Sequence, residues 1–244
     1  MPTRSRSLLH RAPRGHRRVA ALMLLVQLLL LLFTALPWPV PAQAAPGARW
    51  SKASLTSTEA NSMEDVSLHI LDIAQNSIAA GASRIAISIQ DRPGQDRLEI
   101  RICDNGKGMD PDQVKSATNP FYTTRTTRRV GLGIPLFQAS AEATGGYLKI
   151  YSEKGTGTVV QAVFHRRHMD CPPMGRMEDT MAVLVCCNPD VQFYYSHIFS
   201  GRKFVLHSGE IQQKLGEISI ADPDVIVWIK EYIRSGLEEI YGGV

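Results

Sequence analysis

Four short stretches carry residue types that can do chemistry. Asp72 and Asn76 lie four residues apart in a segment with helical apolar spacing, so both project from one face. An Asn carbonyl oxygen there can ligate Mg²⁺, and a carboxylate one turn earlier can orient or deprotonate a water or a hydroxyl. A solvated polar pair on a surface helix would look the same. The second stretch is Asp104-Asn105-Gly106-Lys107-Gly108-Met109, at the end of an alternating apolar run. A carboxylate at a strand end can accept a hydrogen bond from an exocyclic amine such as that of adenine. Glycines two and four residues later let the backbone turn and approach a flat base, although an ordinary Asn-Gly turn is also compatible.

The third stretch, Thr123-Thr124-Arg125-Thr126-Thr127-Arg128-Arg129-Val130-Gly131-Leu132-Gly133, joins hydroxyls and guanidinium groups to glycines at a helix start. Backbone N–H groups at such a junction hold phosphate, and Arg128 or Arg129 can pair with its charge. Gly131-Leu132-Gly133 is not a dinucleotide fingerprint, because the third glycine is missing and no strand directly precedes it; no Walker A string occurs. The fourth stretch, Gly155-Thr156-Gly157-Thr158, reads alone as a hairpin turn.

The elements that must position these residues follow from periodicity. Val66, Ile70, Ile73, Ala74, Ser77 and Ile78 give a helix over 63–80, stopped by Gly81. Residues 84–90 and 98–103 alternate as two strands around a hairpin loop. A short helix is expected over 111–117, a polar basic loop over 119–130, a helix from Gly131 to about Ala143, and strands over 147–152 and 158–164. The expected fold is a two-layer α/β sandwich, with helices on one face of a mixed, largely antiparallel sheet. Beyond Pro172-Pro173, a helix over 177–187, strands over 191–195 and 203–207, a short helix over 210–215 and a capped helix over 222–240 form a small α/β extension without a legible chemical motif.

The first 62 residues differ in kind. They hold eight Lys/Arg against Glu59 alone, a charge of +7, whereas the 244-residue chain totals +4, which leaves the remainder at −3. The basic charge therefore belongs to the head and is no argument for nucleic-acid binding by the body. Six Arg precede an apolar run over 19–36, followed by prolines and Ala42-Gln43-Ala44, the pattern of a leader or signal segment. Either Met63 is the true start and the protein is cytoplasmic, or residues 19–36 associate it with a membrane. The expected organisation is a leader-like extension over 1–62, a catalytic domain over 63–165 and the extension over 166–244. Cys103, Cys171, Cys186 and Cys187 lack zinc spacing and are too few for a disulfide scaffold; Cys186-Cys187 is expected in the core of an apolar helix.

Taken together and in this order, the four stretches resemble the boxes of the GHKL superfamily, the ATPase domains of gyrase, heat-shock chaperones, histidine kinases and mismatch-repair proteins. The resemblance spans about Met63 to Phe164, and Asn119-Pro120-Phe121-Tyr122-Thr123-Thr124 is similar to the phenylalanine box and lid start of histidine kinases. It implies a Bergerat-type ATP-binding fold with ATP and Mg²⁺ as cofactors. Asn76 would ligate the metal, Asp104 would bind the adenine amine, and Gly106, Gly108 and Met109 would line the base. Thr124, Arg128, Arg129, Gly131, Leu132 and Gly133 would serve the phosphates under a lid, and Thr158 would support the adenine water network. Asp72 stands where gyrase-type members carry a Glu base, one methylene longer. Residues 63–244 also resemble stand-alone ATP-binding proteins of bacterial hydrogenase gene clusters.

The implied function is a Mg-ATP-dependent phosphotransferase acting in trans on a partner protein, with hydrogenase-related proteins as the candidates. The helical hairpin that presents a phosphoacceptor His in histidine kinases is not legible before this domain. His69, beside Asp72, reads as a packed or surface side chain. The alternative is an ATPase or ATP-gated switch that controls a partner. No nucleic-acid partner is expected; a homodimer is possible.

Overall fold

The computed structural model describes residues 65–117 and 133–242. Asp65 caps the first helix, α1 (Val66–Ala79), its carboxylate accepting from the Leu68 amide at 3.0 Å. The helix ends at Gly81, whose φ of +77° suits glycine. Strands β1 (Arg84–Arg92) and β2 (Arg97–Asp104) follow, joined by a tight turn over 93–95, so both strands run further into the predicted hairpin loop than alternation alone indicated. Next come α2 (Pro111–Ala117), α3 (Gly133–Ala143), β3 (Tyr147–Glu153) and β4 (Gly157–His165).

The chain continues through α4 (Met177–Cys187), β5 (Gln192–Phe199), β6 (Arg202–His207), α5 (Ser208–Leu215) and α6 (Pro223–Tyr241). Asp222 caps α6 by accepting from the Asp224 amide, with Pro223 in the first turn. The six strands form one sheet in the order β3-β4-β2-β1-β5-β6. Every pairing is antiparallel except β1 with β5. β5 thus extends the sheet, with Ile87 opposite Tyr195.

One face of the sheet contributes Ile85, Ile87, Ile89, Leu98, Ile100, Ile102, Ala162 and Phe164 to the core. The helices cover that face with Val66, Ile70, Ile73, Phe137, Met181, Ile229 and Ile233. The alternate residues of β1 and β2, such as Ser88 and Arg101, lie on the other face and are only partly buried. This is the mixed-sheet α/β sandwich expected. β5 is longer than the 191–195 strand because Ser196 and His197, polar residues that break the apolar signal, are buried. Cys186 is buried, but Cys187 is exposed: successive helical residues are about 100° apart, so the pair cannot share the core face. Among the described residues no helix is long and apolar enough to cross a membrane. The apolar run over 19–36 lies outside them.

Candidate functional site

The site gathers where β2 ends beside the C-terminal half of α1. Asp104 is the last residue of β2 and pairs with Ile85 on one side and Thr158 on the other. Its carboxylate is held at both oxygens. Ser77 Oγ donates to Oδ2 at 2.7 Å, and the Gly106 amide donates to Oδ1 at 2.9 Å. Each oxygen keeps a further lone pair for a ligand N–H. Ser77 directly follows Asn76, so the same bond ties the Asn76 helix to the Asp104 strand. Asp72 and Asn76 are both exposed on α1.

The glycines are close-packed. A Cβ at Gly106 would sit 3.1 Å from Ala80 Cβ, Ala80 O and Asp104 Oδ1. A Cβ at Gly108, where φ is +63°, would sit 2.0 Å from Glu153 O. Gly157 approaches as closely: its Cβ would lie 2.0 Å from Asp104 O. The loop after β2 is therefore pressed against the β3–β4 hairpin, and only glycine fits at the contacts.

Ser152 fastens the two. Its hydroxyl donates to Gly157 O at 3.0 Å and accepts from the Met109 amide at 2.8 Å; Thr158 Oγ1 lies 2.8 Å away. Asn105 is structural, its side-chain oxygen accepting from the Ser83 and Arg84 amides at 3.0 and 2.8 Å.

At the start of α3, a Cβ on Gly133 would lie 3.0 Å from Asp72 Cβ and Oδ2. Gly133 and the α1 carboxylate thus meet. Asp72, Asn76, Asp104, Gly106, Gly108, Met109, Gly133 and Thr158 all lie on these adjoining elements. Thr124, Arg128, Arg129, Gly131, Leu132 and the phenylalanine box lie outside the described residues. Sequence reasoning missed Ser77, which it placed in the apolar stripe, and Ser152, whose only signal was its place opposite Thr158 in a β-hairpin.

His69 is buried and stacks on Phe137 with ring centroids 4.8 Å apart. Burial lowers its pKa, which favours the neutral ring. Cys103 lies on the far face of β2, its thiol pushed up to about 11 by burial. Among the described residues no three His, Cys, Asp or Glu side chains group to hold a metal.

Residues 62–168 match the family model described as histidine kinase-, DNA gyrase B-, and HSP90-like ATPase. The chain carries a GHKL ATPase domain. The domain is 35% identical over 91 residues to the sensor histidine kinase ZraS of Salmonella typhimurium, covering 37% of this chain and 19% of that protein. It is 32% identical over 93 residues to sporulation kinase C of Bacillus subtilis, covering 38% and 22%. This chain therefore spans about a fifth of the length of these kinases. Among solved structures it is similar to the Aquifex aeolicus MutL ATPase domain complexed with ADP, with a TM-score of 0.39, 16% identity, and coverage of 62% of this chain and 69% of that one.

Proposed function

We propose that the chain binds Mg-ATP at the Asp104 site and transfers the γ-phosphoryl group to a side chain of a partner protein. The observation that carries this reading is the doubly held Asp104 carboxylate at the mouth of a glycine-walled loop. Ser77 and the Gly106 amide fix it, which leaves it an acceptor for the adenine amine without reorganisation. The close approach of Gly108 to Glu153 and of Gly157 to Asp104 holds the loop after Asp104 against the β3–β4 hairpin, which supports a carboxylate kept in one place.

The residues present fit the metal as well. Asn76 supplies one neutral oxygen, and a Mg²⁺ ion that takes most of its ligands from phosphate and water needs no carboxylate cage. Bound Mg-ATP would supply the phosphoryl group and charge neutralisation along the phosphates. Asp72, against the Gly133 start of α3, would orient or accept the proton of the attacking hydroxyl or imidazole. Gly131, Leu132, Thr124, Arg128 and Arg129 are assigned to the phosphates on the family pattern.

Similarity to sensor and sporulation kinases supports phosphotransfer over hydrolysis. The packing of His69 against Phe137 supports an acceptor on another protein. The test incubates the purified chain with γ-labelled ATP and the proteins encoded beside it, hydrogenase components first. Label on one of them is expected, with its acid lability distinguishing phospho-His from phospho-Ser. Release of free phosphate alone would overturn the kinase reading in favour of an ATPase.

A further inference from the structure

A cavity of about 520 Å³ opens at the end of β1 away from Asp104. Asp91 lines it, six residues along the strand from Ile85, the partner of Asp104, or about 20 Å at strand rise. Its other walls are the segment 171–175 and the C-terminal half of α6. That segment also closes the first turn of α1: the Val66 and Ser67 amides donate to Pro173 O and Met174 O, each at 3.0 Å.

Asp91 is 1% exposed, and its hydrogen bonds are one-sided. Tyr241 donates to Oδ2 at 3.3 Å, and Arg166 Nε donates to the same oxygen at 3.3 Å. Tyr241 has a single hydroxyl proton, so it accepts from His197 Nε2, 2.9 Å away; His197 Nδ1 then accepts from Tyr195, 2.7 Å away. The chain Tyr195–His197–Tyr241–Asp91 thus passes its donors in one direction and ends on Oδ2. Burial holds His197 down to about 4, so the relay adds no positive charge. Oδ1 is buried and receives no hydrogen bond. A buried carboxylate oxygen without a donor is costly, and in native proteins such groups are satisfied by a ligand or water.

The charges on the wall set the sign. Glu178 and Glu238 join Asp91, against Arg166 and Arg234, leaving one negative charge in excess. Leu98, Met174 and Leu237 give the rest of the lining an apolar character suited to a short hydrocarbon stem. The volume is that of a site for a small organic molecule.

We propose that this cavity binds a small organic cation, a primary ammonium on an apolar stem, with the ammonium donating to Asp91 Oδ1. The site is separate from the nucleotide cleft and does not rest on the assignment of ATP. Because its wall is bonded to the start of α1, an occupant touches the segment that anchors the Asp72 and Asn76 helix.

The test titrates 1-aminohexane into the purified full chain by calorimetry, with 1-hexanol and hexanoate as length-matched neutral and anionic probes. Saturable binding of the amine alone is expected. Asp91→Asn should weaken it at least tenfold, and Leu237→Trp, which fills the cavity, should abolish it while circular dichroism stays native. If Asp91→Asn fails to fold, Leu237→Trp decides. Asp104→Asn should leave amine binding unchanged, so failure of the nucleotide assignment and of this one are read separately. No saturable heat with the amine, preferential binding of hexanoate, or undiminished binding in either cavity variant would overturn the proposal.

Discussion

Substituting Gly108 by Ala tests whether the glycine loop is pressed against the hairpin as described. The added methyl would lie 2.0 Å from Glu153 O and 2.7 Å from Glu153 C, both backbone atoms that cannot rotate away. Relief to an ordinary contact requires the loop or the hairpin to move by about 1 Å, an overpacking cost of roughly 1–3 kcal/mol. The φ of +63° adds about 1 kcal/mol for a residue with a Cβ. The total is about 2–4 kcal/mol, or roughly 4–16 °C in Tm for a chain of this size. Gly155→Ala supplies the internal control. Its φ is +81°, but a Cβ there meets nothing within 4 Å, so only the conformational cost of about 1 kcal/mol applies. Calorimetric melting of the two variants isolates the collision. Because Met109 and Thr158 are tied to the same hairpin through Ser152, Gly108→Ala should also weaken ATP binding, whereas Gly155→Ala should not. Equal Tm values for the two variants would refute the close approach.

Ser77→Ala removes the 2.7 Å bond to Asp104, a charged hydrogen bond of about 1.5–3 kcal/mol, and should weaken ATP binding measurably by calorimetry while the chain stays folded. Asp72→Asn should retain ATP binding and lose phosphoryl transfer, read by label on the partner; loss of binding instead would make Asp72 a ligand-holding residue. The buried His197 gives a pH signature. Its folded pKa of about 4 lies below the ordinary 6.5, so its contribution is fully present above pH 6.5 and is lost as pH falls toward 4. That amounts to about 3 kcal/mol. Denaturant titrations at several pH values should show this fall in the native chain and a shallower one in His197→Gln.

The elements around the site were legible because their patterns are local. Alternation marked β1 and β2, and Gly81 and Asp222 punctuate the helices, whereas Asp65, expected inside a helix over 63–80, is the cap from which that helix starts. What sequence could not show was contact between distant segments. Ser77 has the size and spacing of an apolar-stripe residue, and only the fold brings it to Asp104, 27 positions away. The closeness of Gly108 to Glu153 and of Gly157 to Asp104 is likewise a property of strand register. The extent of β5 was hidden by Ser196 and His197, whose polarity reads as a strand end until Tyr195 and Tyr241 are seen to satisfy the imidazole. The Asp91 cavity had no sequence signal, since its walls come from β1, the segment after β4 and the last helix.

Titration of Mg-ATP into the native chain and into Asp104→Asn tests the central claim most directly. The amide retains the acceptor facing the Gly106 amide but presents a donor to the adenine amine. One saturable site in the native chain, weakened roughly 10- to 150-fold in the variant for loss of a charge-assisted hydrogen bond, is the predicted result. No binding to the native chain, or equal affinity in both, would contradict it.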